Sequence, residues 1–161
     1  MGHRLRARLA WLTLALGVAG PASAAPSTFT TVIGNAILCR SHLDNHYFYD
    51  YLTTAFGPAY KHEGGAWWFK ADGTLWGMSV SDIIVSDDSS ALTFVGAVAE
   101  ATPDSLGDAV LAAVGLRHVK VDNSQFPAMA GNLGSKIVFF NTRSKIYCAK
   151  FKQLAPSRQG S

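Results

Sequence analysis

The 161-residue chain is 48% apolar and 16% charged, which gives room for one core but not for two independent ones. Its 14 basic residues exceed its 11 acidic ones only because Arg4, Arg6 and Arg8 lie in the first 24 residues, which hold no acid; residues 25–161 balance at eleven of each sign. That balance leaves no basic stripe for nucleic acid and no general attraction to anionic lipid.

Residues 1–24 read as a cleaved secretory signal peptide. The three arginines are followed by a short apolar run, Leu9 to Ala19, and by Ala22-Ser23-Ala24 with Pro21 before it. The run is too short to span a bilayer, so no transmembrane anchor is expected after processing. The chain is therefore expected in the periplasm or outside the cell. There its only two cysteines, Cys39 and Cys148, are expected to form one disulfide. Residues 25–154 are expected to form a single α+β domain, with 155–161 as a disordered tail.

Val32 to Cys39 is apolar and reads as a strand or extended arm. Ser41 reads as a helix N-cap with Asp44 in the first turn. Leu43, Tyr47, Phe48, Tyr51, Leu52, Ala55 and Phe56 then recur at helical spacing until Gly57-Pro58. Ala66 to Lys70 predicts a strand, Asp72-Gly73 a two-residue hairpin turn, and Thr74 to Val85 a long strand with a bend or bulge near Gly77. A polar turn at residues 86–90 leads into a strand over 91–100. Thr102-Pro103-Asp104 is a strong helix start, Leu106, Ala109, Val110, Ala113 and Val114 its buried stripe, and Gly115 its end. A strand over 116–121, an irregular loop over 122–135 and a hairpin of 136–140 with 145–151 complete the chain. The fold class is therefore α+β: two successive helix-plus-three-strand (αβββ) units forming an antiparallel sheet, with helices packed on one face.

The polar residues supply little chemistry. His42, His46 and Asp50 would share one helix face at metal-ligand spacing, but Leu43 stands where a zinc-protease helix needs glutamate. The ordinary reading is a solvated helix face, so no metal and no cofactor is expected. His118 has no nucleophile assigned to it by the sequence. Asp82, Asp87 and Asp88 fall in or beside a serine-rich turn, and Glu63 and Glu100 are the only glutamates. No catalytic residue is therefore assigned.

The aromatic residues carry more information. Trp67 and Trp68 are adjacent on a strand and must face opposite ways, so one of them points at the sheet face away from the helices. Trp67, Trp68, Trp76, Tyr49, Phe126 and Met129 are the candidate binding residues, on the hairpin, the first helix and the loop. The expected function is a small exported binding protein. An inhibitor or immunity-type protein that contacts another protein in the cell envelope or outside the cell fits best. The alternatives are an exported hydrolase acting on cell wall or small esters, and a carbohydrate- or lipid-binding module using Trp67, Trp68 and Trp76.

Overall fold

The computed structural model describes residues 24–152. The signal-peptide reading, Ala24 apart, and the tail at 155–161 lie outside the described residues. The first helical segment, α1, is π-wound over Thr30–Gly34 and α-wound over Asn35–Ile37. Helix α2 spans Asn45–Phe56 and α3 spans Pro103–Val114. The strands are β1 Lys61–Glu63, β2 Ala66–Leu75, β3 Met78–Ser86, β4 Leu92–Ala99, β5 His118–Lys120, β6 Met129–Gly131, β7 Lys136–Phe140 and β8 Arg143–Phe151.

All eight strands form one antiparallel sheet in the order β1-β2-β3-β4-β8-β7-β6-β5. Two four-stranded meanders meet where β4 pairs with β8. Four strands, not three, thus follow each of α2 and α3. The two strands missing from the αβββ expectation, β1 and β6, have three residues each. They are too short for a period-2 pattern to develop.

Helix α3 follows its sequence signals. Thr102 caps it by accepting from the Ser105 amide, Pro103 opens it, and Gly115 ends it in the left-handed region at φ 71°. Its buried side is Pro103, Leu106, Gly107 and Val110; Ala113 is exposed. Helix α2 begins later than expected. Asp44 is the cap itself, accepting from the Tyr47 amide at 3.1 Å, and Ser41 lies outside the helix. Phe48 and Leu52 are its buried residues, while Tyr47 stays exposed.

Two local expectations are overturned. The segment over 32–39 is helical, not extended. Ile33, Ala36, Ile37 and Leu38 are all fully buried, and such all-round burial erases the periodicity that separates a helix from a strand. The hairpin turn is Trp76-Gly77, not Asp72-Gly73. Both turn residues have positive φ, 53° and 78°, and Leu75 pairs directly with Met78. Asp72-Gly73 instead lies within β2, where the register shifts between Lys70 and Gly73. A Cβ on Gly73 would stand 2.9 Å from the Phe29 ring, so this glycine admits the chain leading into α1.

The three helices cover one sheet face. Phe69, Ile83, Val85, Val95, Ala97 and Ile146 point at Phe29, Ile33, Ile37, Phe48, Leu52 and Leu106 in one core. Each fully buried Val, Leu, Ile or Phe side chain among them stabilises the fold by about 1.5–3 kcal/mol relative to exposure. The expected disulfide is present between Cys39, just after α1, and Cys148 in β8. It ties the helical layer to the middle of the sheet. Among the described residues no helix is long and apolar enough to cross a membrane.

Candidate functional site

Strand alternation divides the sheet into two different surfaces. In β2, Trp67, Phe69 and Ala71 join the helix-side core, and Ala66 and Trp68 belong to a separate cluster with Ile84, Val98, Phe94 and Phe140. The register puts Trp68 beside Ile84, Ile84 beside Gly96, and Gly96 beside Tyr147. These residues line a groove of about 450 Å³ on the face that none of the described helices covers. Ala66, Gly96 and Ala149 contribute small side chains, and Trp68, Phe94, Tyr147 and Val138 contribute larger ones. Gly96 is required by close approach: a Cβ there would stand 2.9 Å from Tyr147 Cβ and 3.1 Å from the Ile146 carbonyl oxygen.

Lysines edge this apolar surface. Lys61 Nζ lies 4.9 Å from the Trp68 ring centroid and is paired with Glu63 at 2.7 Å. Lys145 Nζ lies 5.2 Å from the Trp68 ring and 4.3 Å from the Phe140 ring. Such cation–π contacts hold an ammonium over an aromatic face, but they do not replace an acceptor. Lys145 is half-buried, and burial followed by the nearby Lys61 charge pulls its pKa below the ordinary lysine value. It makes no ion pair among the described residues. Trp68 Nε1, in the same wall, is buried with no acceptor.

One end of this face carries a satisfied polar network. Asp82 accepts from Tyr60 Oη at 2.7 Å, Lys70 Nζ at 2.8 Å and Ser81 Oγ at 2.7 Å. Burial by itself would raise the Asp82 pKa; the donated hydrogen bonds outweigh it and hold the carboxyl below its usual value. Arg143 pairs with Glu100 at 2.8 Å and approaches Asp82 at 3.9 Å. Every acid here has a cationic partner, an arrangement that holds structure and leaves no spare general acid.

A second polar cluster lies at the other end of β2. The His62 ring stacks on Trp67 at 3.5 Å between centroids, and its Nε2 lies 2.5 Å from Asp87 Oδ2. Asp87 Oδ1 accepts from the Ser89 amide, the Ser89 hydroxyl and the Ser90 amide. The Ser89 hydroxyl first, then His62, pulls the Asp87 pKa down to about 2. A histidine oriented by a carboxylate is two thirds of a nucleophilic triad. The nearby hydroxyl, Ser89, is bonded to the carboxylate rather than to the imidazole, so the cluster lacks an activated nucleophile.

The other singled-out residues are dispersed. His42 precedes α2, so it does not share a helix face with His46; His46 instead meets Asp88 at 3.3 Å. Among the described residues no group of three or more His, Cys, Asp or Glu side chains is placed to hold a metal ion. His118 is buried, with Nε2 on Ser135 Oγ at 2.9 Å and Nδ1 without a partner. Trp67 and Tyr49 pack edge-to-face at 5.3 Å on the helix side, and Trp76 packs against the same core. Met129 is buried, while Phe126 is exposed and packs edge-to-face on Phe139 at 5.0 Å. Of the six candidate binding residues, Trp68 alone lines the groove.

The residues that complete the groove went unassigned in the sequence. Their signal is in β4, where Leu92, Phe94 and Val98 alternate with Val95, Ala97 and Ala99 so that both strand faces are apolar. A strand apolar on both sides has two surfaces to cover. No family model, no curated protein and no solved structure matches the chain.

Proposed function

We propose that this chain is an exported binding protein and that its working surface is the sheet face away from the described helices. One observation carries the reading: helices occupy one side of an eight-stranded sheet, and the other side holds an apolar groove of about 450 Å³. A pocket of this size and composition is the usual form of a recognition site. The signal-peptide pattern and the Cys39–Cys148 bridge support export. The acids around the groove are spent on cationic partners, which supports binding over hydrolysis.

The first reading of the ligand is another protein in the envelope or outside the cell, held in an inhibitor or immunity-type contact. Such a partner would seat one large side chain in the groove as its anchor. The test is co-purification of the tagged chain from its own envelope. A stoichiometric partner is expected with the natural chain and with Ala113→Trp, which alters the exposed side of α3. It should be lost with Ala149→Trp, which fills the groove. Equal recovery with both variants would refute the reading. A second reading, a lipid-binding module, is favoured by Lys145 at the edge of the groove, which has no ion pair among the described residues.

A further inference from the structure

We propose that the groove binds a single unbranched acyl chain with its terminal carboxylate on Lys145. The proposal rests on the second of the two readings above and names the ligand class. The groove is apolar along its floor and most of its walls, from Ala66, Ile84 and Gly96 to Phe94 and Val138. This lining is favourable to a hydrocarbon tail and offers few groups that a sugar would hydrogen-bond. The charged lining residues are Glu63, paired with Lys61 at 2.7 Å, and Lys145. Lys145 Nζ stands over the Phe140 and Trp68 rings, half-buried, and among the described residues lacks the carboxylate partner that Lys61, Lys70 and Arg143 each possess.

The chain spends its other groove-side acids on those three cations: Glu63 on Lys61, Asp82 on Lys70 and Glu100 on Arg143. Lys136 shares this sheet face beside Tyr147 and also has no ion pair among the described residues, but it is exposed and lies outside the groove lining. Lys145 is therefore the half-buried cation in the groove left without an acid, and one anion complements it. A half-buried ammonium attracts a carboxylate more strongly than a fully solvated one does. Trp68 Nε1 in the same wall also has no acceptor, but it is closed off from solvent, so the carboxylate is assigned to Lys145 alone. A cationic amphiphile matches the groove but brings a like charge with no acceptor to Lys145, and an uncharged alcohol offers it an acceptor without the charge.

The test is isothermal titration calorimetry on the disulfide-bonded chain, freed of co-purified lipid. Laurate, dodecanol and dodecyltrimethylammonium serve as probes with the same tail. Laurate is expected to bind one to one, and dodecyltrimethylammonium roughly tenfold or more weaker, the worth of one charge-assisted hydrogen bond. Lys145→Met should bind dodecanol as the natural chain does and lose the preference for laurate. Lys145→Gln checks that result should the methionine variant fail to fold. Lys61→Met removes a lysine already paired with Glu63 and should leave the laurate preference in place. Equal binding of laurate and dodecyltrimethylammonium, or an unchanged laurate preference in both Lys145 variants, would overturn the proposal. So would a natural chain that binds no laurate; in that case the protein-contact reading still stands or falls on its own groove-filling experiment.

Discussion

Removing the Cys39–Cys148 bridge should cost a large share of this chain's stability. The two residues are 109 apart in sequence, so the bridge closes most of the folded domain into one loop. In the chain-entropy account, freeing a loop of that length returns about 16 cal/mol/K to the unfolded state, or about 5 kcal/mol at 25 °C. Unfolding entropy for a domain of roughly 130 residues is about 0.27 kcal/mol/K, so the midpoint should fall by roughly 15–20 °C. The assay is guanidinium and thermal unfolding of the oxidised chain, of the same chain under reductant, and of Cys39→Ala/Cys148→Ala. Reduced and doubly substituted proteins should agree closely, because the effect lies in the unfolded ensemble and not in the sulfur contacts. A loss below about 1 kcal/mol, the size of an average single substitution, would refute the loop-closure reasoning.

Other outcomes follow from single groups. The Asp87 carboxyl titrates at about 2 in the folded chain, below its unfolded value, so its contribution to stability is present above the unfolded pKa and is lost as pH falls toward 2. Asp87→Asn should flatten that stretch of a urea-midpoint curve taken from pH 5 to pH 2, and an unchanged slope would contradict the assignment. Burial lowers the His118 pKa below its ordinary value of about 6.5, so the folded state resists protonation and stability falls as pH drops below that value. His118→Gln should remove this slope near neutral pH, as followed by thermal melts at closely spaced pH. Gly96→Ala forces a Cβ to 2.9 Å from Tyr147 Cβ. It should cost about 1–3 kcal/mol in chemical denaturation, the range for overpacking a filled site.

Legibility in the sequence tracked the range of the interaction that decides each feature. Helix α3 was readable to the residue because Thr102, Pro103, Asp104 and Gly115 act within one turn of its ends. Helix α2 was readable in type but not at its start, since Ser41 and Asp44 are both acceptable caps and tertiary packing selects Asp44. α1 is not legible as a helix, because an apolar segment buried all round has no periodicity left to separate helix from strand. The Asp72-Gly73 dipeptide satisfies the local rule for a hairpin turn. The position of Phe29, far away in the chain, makes it a bulged part of β2 instead.

The groove shows the same divide. Strand alternation alone established that Trp67 and Trp68 face opposite ways. Which tryptophan faces the helices, and whether anything covers the other face, depends on pairing β4 with β8 across the junction of the two meanders. Lys145 acquires its meaning only there. In sequence it is one lysine in a hairpin, and in the fold it meets Trp68 across three intervening strand pairings.

The most direct test of the working surface is site-specific photo-crosslinking in the cell of origin. A photoreactive residue is placed in turn at Val138 or Ala149 in the groove, and at Ala112 on the exposed side of α3. Positions 138 and 149 should give one discrete protein or lipid adduct, and position 112 none. Adducts from position 112 with none from 138 or 149 would contradict the assignment of the uncovered sheet face as the surface that grips the ligand.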